Sequence, residues 1–207
     1  MIDLHNPLHL IGRPAEFVLL DNLIKSSEPY AEHKILASID HDDVDYPIHA
    51  LKFGSDKPGV PVLFFVGGVH GIERIGAQVV LAFLDSFIQR LQWDESIQYT
   101  LQNMRIWFIP ITNPVGFKFY WRSNGNHVDL MRNAPIDAQG SVTPLIGGHR
   151  ISRRLPWFRG EVDNMEIESQ SLTDLVIRES RSAPLSLLLD AHSGFGTTDR
   201  LWFPMAS

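Results

Sequence analysis

The sequence predicts an α/β layered domain built on a largely parallel sheet. Three observations carry that reading. Short apolar runs at Val60–Val66, Met104–Ile111 and Leu185–Asp190 have the length and composition of buried strands. The first is followed at once by a glycine turn, Gly67-Gly68, and then by a long helical period. A second helical pattern, Glu166–Arg181, precedes the third run, so strands and helices alternate.

In chain order, Pro14-Ala15-Glu16 opens a helix whose apolar positions are Phe17, Leu20, Leu23 and Ile24. Lys34–Ile39 and Ile48–Phe53 read as strands around the acidic turn His41-Asp42-Asp43. Gly54–Gly59 is turn chemistry, with Pro58 and Gly59. After the glycine turn, Ile75, Val79, Phe83, Phe87 and Leu91 recur every four residues, which predicts one helix to about Leu91. Thr112-Asn113-Pro114 stops the next strand. The stretch 115–160 is long, polar and rich in Gly, Pro and Arg, and loops of that length in a compact domain are usually functional. A last short strand is expected at Leu201-Trp202-Phe203.

Composition narrows the function. The 207 residues read as one domain, with 44% apolar and 20% charged residues. Twenty-four acids against 18 Lys and Arg give a net charge of −6, so no nucleic-acid partner is expected. There is no cysteine, which excludes thiolate metal sites, a thiol nucleophile and disulfides. No apolar stretch approaches the roughly 20 residues of a membrane helix, and the first residues lack a signal-peptide pattern; a cytoplasmic chain with no membrane partner is the expectation.

In parallel sheets, ligands gather at the carboxyl ends of strands. His70 and Glu73 follow one predicted strand, His192 follows another, and the arginine-bearing loop follows a third. His70 and Glu73, three apart, can face one way from a turn. Alone, that spacing reads equally well as a solvated helix start with an acid on the helix dipole. His192 supplies a third donor, and two imidazoles with one carboxylate form a known catalytic zinc set. The other reading of His192 is a satisfied core histidine. Asp190 could be an outer partner of the set or be structural. Arg122 and Arg132 suit carboxylate or oxyanion recognition, against the reading of surface arginines, which also holds for Arg105, Arg150, Arg153, Arg154 and Arg159. Asp129 with Asn133 could simply order the loop.

Five short motifs, in order from about residue 60 to 204, resemble the zinc metallocarboxypeptidases of the M14-type superfamily, which includes the succinylglutamate desuccinylase and aspartoacylase branch. They are His70-Gly-Ile-Glu73, Asn113-Pro-Val-Gly116, Arg122, Val128-Asp-Leu-Met-Arg-Asn133 and Leu189-Asp-Ala-His-Ser-Gly194. The resemblance implies a three-layer α/β/α sandwich with a mixed, largely parallel sheet and one zinc, held by His70, Glu73 and His192. It makes Arg122 the arginine that polarises the scissile carbonyl, and Arg132 the one that holds the substrate's terminal carboxylate, with Asn133 beside it as a substrate-binding residue. Met131 stands where the family carries an asparagine that helps grip that carboxylate.

The family's catalytic glutamate lies well downstream of the third ligand, whereas Asp199 is the only acid here after His192. The resemblance therefore implies an amino-terminal part of the fold, with the metal half of the site and without its base; Glu161, Asp163, Glu166 and Glu168 are the first substitutes to consider. The expected function is a zinc-dependent hydrolase that cuts a C-terminal peptide or amide bond. The alternatives are an N-acyl amino acid amidohydrolase and a non-catalytic metal-binding module.

Overall fold

The computed structural model describes residues 12–134, 136, 143–193, 198, 200 and 201. Helix α1 (Ala15–Ser27) leads into the hairpin β1 (Ala31–His41) and β2 (Val44–Gly54). Asp42 and Asp43 both have positive φ, 53° and 59°, the backbone a two-residue hairpin turn demands. Strand β3 (Val62–Gly67), α2 (Arg74–Leu91), α3 (Glu95–Leu101), β4 (Arg105–Ile109) and α4 (Pro114–Phe119) follow. A 3₁₀ turn (Leu130–Arg132), α5 (Ile167–Ser180) and β5 (Ser186–Ala191) complete the described elements.

The five strands form one mixed sheet in the order β1-β2-β4-β3-β5. Strand β2 is antiparallel to β1 and β4, while β3 is parallel to both β4 and β5. Each strand's alternating side chains build two cores. Leu51, Phe53, Ile106 and Phe108 pack under α1 and α2 with Leu81, Leu84 and Phe87. Ile48, Phe64, Val66, Trp107 and Ile109 pack on the other side with Leu172, Leu175 and Val176 of α5. Helices thus cover both faces, as the three-layer sandwich requires. Among the described residues, no helix is long and apolar enough to cross a membrane.

Two expectations need correction. Strand β5 is not buried: Leu187, Leu188 and Leu189 are 42%, 39% and 38% exposed. It is an edge strand of the sheet among the described residues, and an apolar run does not distinguish an edge strand from a central one. Helix α2 has the expected span, and Phe87 and Leu91 of the expected stripe are buried, but the rest of its buried side is Gly76, Ala77, Val80, Leu81, Leu84 and Ile88. Ile75, Val79 and Phe83 of the four-residue stripe lie at the surface.

Two short helices escaped the periodicity. Asp94 caps α3 by accepting from the Ser96 and Ile97 amides, and Asn113 caps α4 by accepting from the Gly116 amide. The strand expected at Leu201–Phe203 falls on residues of which only Leu201 is described.

Candidate metal centre

Parallel strands β3 and β5 end side by side, with Gly67 paired to Ala191, so the residues just beyond them meet. His70 lies in the turn after β3. That turn packs directly on α4: a Cβ on Gly71 would stand 1.9 Å from the Gly116 carbonyl carbon, so only glycine fits. The Glu73 amide donates to the His70 carbonyl at 3.0 Å, closing the turn that turns both side chains one way. The Ile72 amide donates to the Trp121 carbonyl at 3.0 Å, which fixes the neighbouring Arg122 beside it.

The Glu73 carboxylate is the meeting point. Its Oε1 is 2.9 Å from His70 Nδ1 and its Oε2 is 3.1 Å from His192 Nδ1. The Ser193 amide donates to Oε2 at 2.9 Å. The two imidazole rings stand 5.2 Å apart. One donor atom from each of His70, Glu73 and His192 lies within 4.8 Å of the others.

Each imidazole also faces a second carboxylate. His70 Nε2 is 3.1 Å from Asp129 Oδ1, and His192 Nε2 is 2.7 Å from Asp190 Oδ2. A carboxylate can only accept, and each imidazole lies between two of them, so in the metal-free site a ring protonated on both nitrogens donates from Nδ1 to Glu73 and from Nε2 to Asp129 or Asp190. A divalent cation shared by the two Nδ1 atoms and Glu73 would take the place of the Nδ1 protons, leaving Nε2 of each ring to donate to Asp129 or Asp190. Zinc bonds of about 2.0–2.2 Å suit two nitrogens and one carboxylate oxygen gathered at this spacing. The donor set therefore fits a zinc ion.

The electrostatics are those of the metal-free site, with both rings protonated against the carboxylates. Burial alone would raise the Glu73 carboxyl, but hydrogen bonds from His192, His70 and the Ser193 amide outweigh it and hold Glu73 well below the usual carboxylate range. Burial would lower His192, yet Asp190 and Glu73 raise it to about 9. His70 is likewise raised, Asp129 and Glu73 overcoming its burial.

Asp129 organises the rest. Its Oδ2 accepts from Arg122 Nε at 3.1 Å and from Arg132 Nη1 at 2.8 Å. Arg122 Nη1 also reaches Glu73 Oε1 at 3.0 Å. The structure thus brings together His70, Glu73, His192 and Arg122, with Arg132 joined to them through Asp129.

Asn133 is placed differently. Its amide nitrogen donates to the Arg159 and Asn164 carbonyls and its oxygen accepts from the Glu166 amide. That side chain orders the loop, and as a substrate contact it would have to surrender one of these bonds. Asp129 and Asp190 are the residues the sequence underweighted. The signal that could have found them is chemical: a metal-binding histidine usually gives its other nitrogen to a carboxylate or carbonyl.

The sequence profile of the zinc carboxypeptidase family matches residues 44–197. Carboxypeptidase SOL1 of Arabidopsis thaliana is 31% identical over 94 residues, covering 44% of this chain and 19% of that protein. The catalytic chain of human carboxypeptidase N is 27% identical over 166 residues, covering 71% of this chain and 35% of the relative. In structure, bovine thrombin-activatable fibrinolysis inhibitor, solved with a tick carboxypeptidase inhibitor, superposes with a TM-score of 0.61 at 18% identity, over 88% of this chain and 61% of that one. The chain belongs to the zinc carboxypeptidase family, whose fold the architecture also has. It spans about a third or less of the length of these two curated relatives.

Proposed function

We propose that the chain carries the metal-binding part of a zinc-dependent hydrolase that cleaves a C-terminal peptide or amide bond. The observation behind this is the convergence of His70 Nδ1, Glu73 and His192 Nδ1, with the far nitrogen of each imidazole held by Asp129 or Asp190. When bound, zinc supplies Lewis acidity and an activated water. His70, Glu73 and His192 would hold it. Asp129 and Asp190 lock the imidazole tautomers that direct the lone pairs inward. Arg122, fixed by Glu73 and Asp129, offers its remaining N–H groups to oxygen charge developing on the carbonyl. Arg132, fixed by Asp129 and by the Ile146 carbonyl, offers Nη2 to a terminal carboxylate.

A base for the water proton is not assigned among these groups, because Asp129 and Asp190 already accept from imidazoles. Glu168 and Glu166 are engaged by Asn124.

Metal analysis of the dialysed chain tests the reading. One zinc per chain is expected, falling to near zero in His192→Ala. A folded wild-type chain without zinc, or a His192→Ala variant that binds as well, would overturn it.

Met131 favours a second reading, an N-acyl amino acid hydrolase. It is 42% exposed beside Arg132 and cannot donate a hydrogen bond to a carboxylate. A substrate panel of C-terminal peptides against N-acyl amino acids separates the two.

A further inference from the structure

The first turn of α5 reaches both arginine-bearing segments. The Glu166 amide donates to Asn133 Oδ1 at 2.7 Å, next to Arg132. Asn124 Nδ2 lies 2.8 Å from Glu166 Oε2 and 3.2 Å from each oxygen of Glu168. The other end of the same amide shapes the chain around it. Asn124 Oδ1 accepts from the amides of Asn126 at 3.0 Å and Val128 at 2.9 Å, while its own amide donates to the Val128 carbonyl at 2.9 Å.

These bonds fold residues 122–129 into a closed loop. At one end stands Arg122 and at the other Asp129, seven residues apart in sequence and in contact at 3.1 Å. Asn124 and Glu168 are each 1% exposed. Burial is the chief influence on Glu168 and pushes its carboxyl above the ordinary range; the Asn124 amide opposes this only in part, and the Glu166 charge adds to it. A buried amide with donors and acceptor all engaged is costly to disturb, since any lost partner leaves a dry polar atom.

We propose that Asn124, clamped by Glu168, is a positioning residue for the candidate metal centre: it sets the loop that brings Asp129 to His70 and Arg122 to Glu73. The inference rests on the reading of His70, Glu73 and His192 as metal ligands. It goes beyond that reading by assigning control of the site to two residues that touch none of the three.

The test uses the full 207-residue chain as wild type, Asn124→Ala, Glu168→Ala and Glu168→Gln, each checked for folding by circular dichroism. Two quantities are read: zinc affinity, by competition with a chromophoric chelator, and the NMR resonance of the His70 Nε2 proton in the metal-free protein. Loss of an outer partner of a metal-bound histidine typically costs about 10–100-fold in affinity. Asn124→Ala and Glu168→Ala are expected to fall in that range and to move the His70 resonance. Glu168→Gln, which keeps the size and an accepting oxygen, should restore most of both.

A folded Asn124→Ala chain with wild-type affinity and an unmoved resonance overturns the proposal. If Asn124→Ala does not fold, the Glu168 pair decides: recovery by Gln of what Ala loses supports positioning, and identical behaviour of the two overturns it. If the wild-type chain binds no zinc, the metal reading fails by itself. The His70 resonance then decides alone, moved in the alanine variants if the proposal holds and unmoved if it does not.

Discussion

His192 Nε2 lies 2.7 Å from Oδ2 of Asp190, two residues earlier at the end of β5. Side chains two apart on a strand share a face, so the strand itself delivers the carboxylate to the imidazole. Among the described residues the second Asp190 oxygen is buried without a hydrogen-bond partner, so His192 is the group's one partner there. Asp190→Ala should therefore weaken zinc binding by about 10–100-fold. Chelator competition checks it, and an unchanged affinity would reduce Asp190 to a strand-end residue.

The distance between Glu73 and His192 depends on how closely α2 approaches β5. Gly76 makes that approach possible: a Cβ there would stand 2.0 Å from the Ala191 carbonyl oxygen, which is backbone and cannot swing away. Gly76→Ala gains about 1 kcal/mol of helix propensity. The backbone overlap, with an overpacking cost of order 1–3 kcal/mol, should outweigh that gain and leave a net destabilisation of up to about 2 kcal/mol. Zinc affinity should fall too, because the helix start bearing Glu73 is pushed from the strand end bearing His192. Urea denaturation and a zinc titration give the two answers; equal or higher stability with unchanged affinity would contradict the packing argument.

Much of this was legible in the residues. Strands β3 and β4 declared themselves by short β-branched and aromatic runs, and α2 and α5 by helical periodicity. Helix α4 did not, because six residues are too few to display a period and Asn113-Pro114 reads equally as a turn. The order of β4 between β2 and β3 rests on contacts far apart in sequence, which no local pattern records. His70, Glu73 and His192 could be found because each follows a strand, and strands of one sheet end together. Asp129 was harder: its bond to His70 spans 59 positions, and an aspartate in a polar loop has many ordinary uses. Asn124 and Glu168 were hidden for the same reason, polar residues whose burial only the folded chain reveals.

On the far side of the hairpin from these residues in sequence, His33 Nε2 lies 2.9 Å from His49 Nδ1, with the rings stacked at 5.1 Å. Burial, helped by the neighbouring His33 and Arg13 and opposed by Asp21 of α1, lowers the His49 pKa to about 4. The unfolded chain takes up a proton as pH drops through about 6.5, while the folded chain resists until about 4. Stability from this site is therefore complete above pH 6.5 and is lost as pH falls towards 4. The loss amounts to about 3 kcal/mol at most. His49→Leu should shrink the fall in melting temperature between pH 7 and pH 4.5. Thermal melts of both chains across that range decide it, and parallel curves would show that His49 charges without cost.

Arg132 and Met131 separate the two substrate readings. Arg132 is held by Asp129 at 2.8 Å and by the Ile146 carbonyl at 2.9 Å, so its guanidinium is oriented before any ligand arrives. A carboxylate gripped by that pre-set group would form a charge-assisted hydrogen bond of about 1.5–3 kcal/mol. In the zinc-loaded chain, Arg132→Ala should weaken binding of a short peptide with a free C-terminus by roughly 10–150-fold, and should barely affect the same peptide as its C-terminal amide. Met131→Asn should act in the opposite direction, since the new amide can donate where methionine cannot; one regained bond is worth about 0.5–1.5 kcal/mol. Isothermal titration of acid and amide forms against the three chains measures each difference directly. If Arg132→Ala binds both forms like wild type, Arg132 is a loop brace serving Asp129. If Met131→Asn weakens binding of the free acid, the apolar side chain itself contacts the ligand, and the acyl-amino-acid reading gains over the peptide one.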